Sequence, residues 1–208
     1  MKKILLAATI ILSVILLSGC LYTLHPIFTV KDLVFDQRLL GRWQTKQDKD
    51  SSFYLFEKAS VHDLKEFSPA LQQNATKIYR VTRITNESEN YFGFLVKLGN
   101  GYFIDLYPDE SGTLKNIDKF FKLHIVKQHS IYKIEFLSNH SFELKQFDDG
   151  YMRQLVDNKQ IRIKHELMDD GSYLITAPTE ELQQYIIKYG DVPDAYYKDG
   201  IAIYKKIY

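Results

Sequence analysis

From Gly41 onward the chain alternates apolar and polar residues with period two, and turn residues interrupt it at regular intervals. That pattern predicts antiparallel strands. Residues 91–98 and 102–107 are two β-rich runs joined by Gly99-Asn100-Gly101, the strongest hairpin signal in the chain, because glycine takes positive φ at no steric cost. Residues 77–85 place Ile78, Arg80, Thr82 and Ile84 on one side and Tyr79, Val81 and Arg83 on the other. Neither side is purely apolar, which suits a strand near a rim. Further strands are expected at 43–46, 53–58, 120–128, 129–137, 141–147, 161–167, 172–177 and 201–207, with Met168-Asp169-Asp170-Gly171 as another hairpin turn. About nine or ten strands spaced in this way predict a mainly β fold, a single antiparallel barrel or sandwich.

Two segments depart from period two. In 149–158, Met152, Leu155 and Val156 fall at helical offsets behind Asp148 and Asp149, which can cap the start. In 179–189, Thr179 reads as the N-cap, Glu180 and Glu181 fill the first turn, and Leu182, Tyr185, Ile186 and Tyr189 form one stripe ending at Gly190. Residues 61–75 read as a long loop with a helical turn. Residues 32–40 suit a short helix or an irregular wrap, so 20–40 is expected to be a tether and lid, and 41–208 a single domain.

The first 19 residues have a different character. Lys2 and Lys3 precede 14 apolar positions, 4–17, broken only by Thr9 and Ser13. That length fits the roughly 7–15 residues of a secretory signal rather than the ~20 of a spanning helix. Leu17-Ser18-Gly19-Cys20 follows and resembles the lipobox of bacterial lipoproteins. The resemblance implies cleavage between Gly19 and Cys20 and covalent diacylglyceryl and N-acyl lipid on the Cys20 thiol and amine, with no other cofactor. Cys20 is the only cysteine, so the mature chain must be stable in an oxidising compartment without an intramolecular disulfide. Leu21, where a retained lipoprotein of enterobacteria carries aspartate, favours the outer membrane facing the periplasm. In a bacterial lipoprotein the sequons at Asn74, Asn86 and Asn139 are chance.

Removing Lys2 and Lys3 with the signal turns the net charge from +1 to −1, which gives no electrostatic case for nucleic acid. The 15 Tyr, 13 Phe and single Trp all lie beyond residue 19, too apolar a composition for disorder. Tyr189, Tyr196, Tyr197, Tyr204 and Tyr208 gather toward the C-terminus, where they could form a binding patch.

Gly41-Arg42-Trp43 holds the only tryptophan, at the start of the first barrel-type strand. It resembles the Gly-x-Trp signature of lipocalins, in which the tryptophan closes one end of the barrel and an arginine after the helix packs on it. Here Lys205 or Lys206 would have to replace that arginine. The resemblance further implies eight strands, a helix and a last strand, an order that 179–189 and 201–207 would complete. Residues 32–43, 129–134 and 174–184 are also similar to uncharacterised bacterial envelope lipoproteins, a likeness that supplies no activity.

Catalytic and metal patterns are missing from the sequence. Of six histidines, no pair is spaced i, i+4 on a helix; His124 and His129 are five apart, His140 sits in a turn, and His165-Glu166 does not continue as a zinc-protease motif. Surface or half-buried histidines without metal are expected. Ser130-Ile-Tyr-Lys133 matches Ser-x-x-Lys, yet on a strand the two side chains project to opposite faces, and its companion motifs are missing. The pairs Asp148/Asp149 and Asp169/Asp170 precede glycines, where turns account for them. A non-catalytic, lipid-anchored envelope protein binding a small apolar or amphipathic ligand is the expected function. The alternative is a structural or assembly lipoprotein with an envelope protein partner.

Overall fold

The computed structural model describes residues 21–46, 52–86, 88–109, 117–169 and 171–208. The signal segment, the lipobox, Cys20 and Asp170 lie outside the described residues. Those described form a mainly β structure of eleven strands and four short helices. None of these helices is long and apolar enough to cross a membrane.

Eight strands close into an antiparallel barrel: β2 (Gly41–Thr45), β3 (Phe53–Lys58), β4 (Ile78–Ile84), β5 (Ser88–Leu98), β6 (Gly101–Pro108), β7 (His129–Ser138), β8 (Ser141–Phe147) and β11 (Tyr196–Ile207). Each pairs with the next, and β11 pairs back onto β2. Closure leaves no rim, so β4 is paired on both sides, and its Ile78, Tyr79 and Val81 are buried. Between β5 and β6 a two-residue turn has Gly99 at φ +56°, the left-handed value that a type II′ turn needs at its first central residue.

The alternation sorts side chains into two cores. One parity points inward, where all eight strands contribute to a cluster around Trp43, Phe56, Tyr79, Leu95, Ile104, Ile134 and Phe142. Phe56 and Phe142 lie on strands three steps apart round the wall, yet their ring centroids are 6.3 Å apart, as only a concave interior permits. Side chains therefore fill the interior. The opposite parity of β4 to β8 forms the floor of a larger outer core that includes Ile78, Phe92, Phe94, Phe103, Ile131 and Phe147.

That outer core is covered by the inserted elements. Between β8 and β11 the chain makes α3 (Asp149–Asp157), β9 (His165–Leu167), β10 (Tyr173–Ile175) and α4 (Thr179–Tyr189). The lipocalin-type order of eight strands, helix and last strand is thus altered: α4 precedes the eighth barrel strand itself. In α3, Asp148 caps the start by accepting from the Gly150 amide, as expected. In α4 the N-cap is Pro178; Thr179 is already helical, and its hydroxyl donates to the Pro26 carbonyl at 2.8 Å. Leu182, Tyr185, Ile186 and Tyr189 are its buried stripe.

Residues 21–40 are not slack chain. Leu21 is buried, β1 (Tyr22–Thr23) pairs with both β7 and β10, and two 3-10 turns, Val30–Asp32 and Gln37–Leu39, run over the barrel to its end. Residues 120–128, expected as a strand, instead hold α2 (Lys119–Lys122), started by the Asp118 side chain accepting from the Phe120 amide, and then irregular chain. In 161–167 only the last three residues pair as β9. The loop 61–75 has its helical turn as α1 (Pro69–Gln72), capped by Ser68.

Candidate functional site

The outward side chains of four neighbouring strands, Arg80 on β4, Phe92 on β5, Tyr107 on β6 and His129 on β7, share one side of the wall. Three segments stand over them: the loop 61–71, the N-terminal stretch at Pro26 and Phe28, and the 119–128 segment through Lys122 and Lys127. Together they bound an open cleft of about 840 Å³ on the outside of the barrel, a size suited to a small ligand. Its floor is aromatic. Phe28 stacks on Phe94 at 4.2 Å between centroids, and Phe67 meets Phe92 edge-on at 5.0 Å.

One side of the cleft is held by a buried, hydrogen-bonded pair. Asp105, fully buried on β6, has one carboxylate oxygen 2.7 Å from His129 Nδ1, while the other accepts from the Ile27 amide at 3.0 Å. A carboxylate has only acceptors, so Nδ1 is the donor, and this orients the ring against Tyr107, 4.6 Å away between centroids. The pair ties the N-terminal segment to the barrel wall beside the cleft.

Across the cleft, Arg80 bridges Asp63 at 3.2 Å and Asp109 at 3.0 Å. Burial alone raises the Asp63 pKa, but the Ser60 hydroxyl and amide and the Arg80 guanidinium together hold it below the ordinary 3.8. Lys127 Nζ lies 4.9 Å from the centre of the Tyr107 ring. The cleft thus sets aromatic surface beside both cationic groups and carboxylates, the latter from Asp63, Glu66 and Asp109.

The residues singled out in the sequence land in several places. Trp43 is buried in the barrel interior near one end, its indole N–H donating to the Leu39 carbonyl at 2.7 Å. Lys206 Nζ lies 5.0 Å from the Trp43 ring centre, taking the place of the expected arginine. Gly41 has φ +116°, and a β-carbon there would come 3.2 Å from Lys206 Cε. The interior end is further closed by Tyr79, whose hydroxyl bonds the Asp36 amide and carbonyl at 2.7 and 2.9 Å; burial drives its pKa upward.

The C-terminal tyrosines do not form one patch. Tyr189 and Tyr196 are buried in the outer core, Tyr204 stacks on Phe142 inside the barrel, and Tyr208 is exposed. Ser130 and Lys133 point to opposite sides of β7, as expected. Lys133 runs beneath α4 and donates to the Gly190 carbonyl at 2.9 Å, where it neutralises the helix C-terminus. His25, His62, His124 and His140 are exposed and His165 is half-buried, but His129 is buried, contrary to expectation. Among the described residues no three of His, Cys, Asp and Glu come together in a way that could hold a metal.

Sequence reasoning missed the Asp105–His129 pair. The available signal was Asp105 standing between Phe103 and Tyr107 on the apolar face of its strand, since an acid at such a position requires a partner.

The closed antiparallel barrel, with Gly41-x-Trp43 at one end and a cation on the indole, is consistent with the lipocalin-like class. No family model, curated protein or solved structure matches the chain.

Proposed function

We propose that this is a lipid-anchored protein of the bacterial envelope, facing the periplasm from the outer membrane. In this reading Cys20 carries diacylglyceryl and N-acyl lipid, and the domain binds a small amphipathic ligand without transforming it. The observation that carries the binding reading is the cleft on the outer wall, about 840 Å³ with an aromatic floor and edges that carry both lysines and carboxylates. The barrel interior, where a ligand would be expected from the lipocalin resemblance, is filled by Trp43, Tyr79, Phe142 and their neighbours. The binding site is therefore assigned to the outside of the barrel.

Native mass spectrometry of the full chain, released gently from membranes, tests both halves. Cys20→Ser should lose the acyl mass and fractionate away from membranes. The acylated chain should carry an additional non-covalent small molecule, lost in Leu71→Trp, which fills the cleft from its edge. A protein that is always empty, or a bound mass indifferent to Leu71→Trp, would sink the cleft assignment.

A further inference from the structure

We infer that residues 119–127 are a membrane-contact segment that seats on the bilayer surface and turns the mouth of the cleft toward it. This rests on the reading of Cys20 as the lipid anchor.

Four large apolar side chains within seven residues are turned to solvent: Phe120 is 68% exposed, Phe121 67%, Leu123 81% and Val126 60%. A soluble surface rarely gathers such groups without a use for them. Their position supplies the occupant. Leu21 is 2% exposed and Tyr22 is already paired opposite Ser130, so the residue next to Cys20 is fixed in the fold and no linker separates anchor from domain. By the same register Leu21 falls beside Ile131. The start of the folded chain is therefore three strand residues, on the order of 10 Å, from the point where the segment joins β7. Acyl chains on Cys20 would hold the bilayer within about that distance of the segment. The segment presents apolar rings there, and Lys122 and Lys127 line the cleft directly behind them, suited to anionic head groups at the interface.

The test uses the full acylated chain in vesicles of phosphatidylethanolamine and phosphatidylglycerol whose acyl chains are brominated near the head group. Phe121→Trp adds one exposed indole to the single buried Trp43, which serves as the background. Bromine should lower the added emission at least twofold, and Phe120→Ser/Leu123→Ser in the same background should relieve much of that quenching. If the protein is acylated and floats with the vesicles while the new indole is unquenched, the contact segment is overturned and the anchor stands. An unacylated Cys20 overturns both. A photocrosslinker at Leu123 that captures one stoichiometric protein instead of lipid also overturns the segment's assignment, in favour of a protein partner.

Discussion

Asp105 and His129 lie on neighbouring strands two positions out of register, and that diagonal offset brings carboxylate and imidazole to 2.7 Å in a buried part of the wall. The other Asp105 oxygen holds the Ile27 amide. Removing the carboxylate leaves both donors buried without it. Asp105→Ala should therefore cost roughly 2–4 kcal/mol, read as a fall in the midpoint of chemical denaturation. His129→Gln, which can still donate one hydrogen bond, should cost less. Equal losses in the two variants would mean that the carboxylate's hold on the N-terminal segment contributes nothing.

Lys206 should be worth about 1 kcal/mol through its place over the Trp43 ring, with its bond to the Arg38 carbonyl at 3.2 Å contributing to the same contact. Lys206→Ala should lower thermal stability and change the Trp43 emission, whereas Lys206→Arg should preserve both. Emission unchanged in Lys206→Ala would show that the ammonium does not sit on the indole.

Gly190 separates shape from conformation. Its φ of −64° suits any residue, so alanine would stabilise the helix end if backbone freedom were the issue. A β-carbon, however, would lie 2.5 Å from the Ile186 carbonyl oxygen and 2.8 Å from Phe103 Cζ. Gly190→Ala should destabilise by roughly 1–3 kcal/mol. Adding Phe103→Leu should recover only part, because the carbonyl cannot withdraw. Calorimetry of the two variants checks this.

Acid should loosen the N-terminal wrap. Burial pulls the Asp32 pKa upward, but the Thr29 hydroxyl and amide, the Gln183 amide and the Lys31 charge together hold it below 3.8. A carboxylate held low in the fold contributes stability above about pH 4 and loses it as pH falls further. Asp32→Asn should cost roughly 1–2 kcal/mol at neutral pH and flatten the fall in stability below pH 4. A full acid slope in the variant would place the titration on other carboxylates.

Local pattern made most of the wall legible. The hairpin at Gly99, the helix of 149–157 and the apolar stripe of 179–189 follow from neighbours in sequence. Phe120-Phe121-Lys122 suits a strand by composition, because aromatics favour strands. It is a helical turn that Asp118 caps, and among the described residues no strand pairs with it. Thr179 looked like a cap, but Pro178 takes that position and frees the threonine hydroxyl for Pro26, 153 residues away. The cleft was not legible at all, because its floor comes from one residue on each of four strands. Only register sets Arg80, Phe92, Tyr107 and His129 side by side, and single-chain alternation carries no register between strands.

The order of strands around the barrel also constrains how the molecule comes into being. Trp43 pairs with Lys206, so the first and last barrel strands meet only after the 163 positions from one to the other have been made. Before β11 emerges from the ribosome, β2 and β8 each lack one of their two partners and the interior stays open on one side. Contacts of this span form slowly. On the envelope reading proposed above, that delay is useful: a polypeptide whose latch is β11 stays open for translocation until that strand is made.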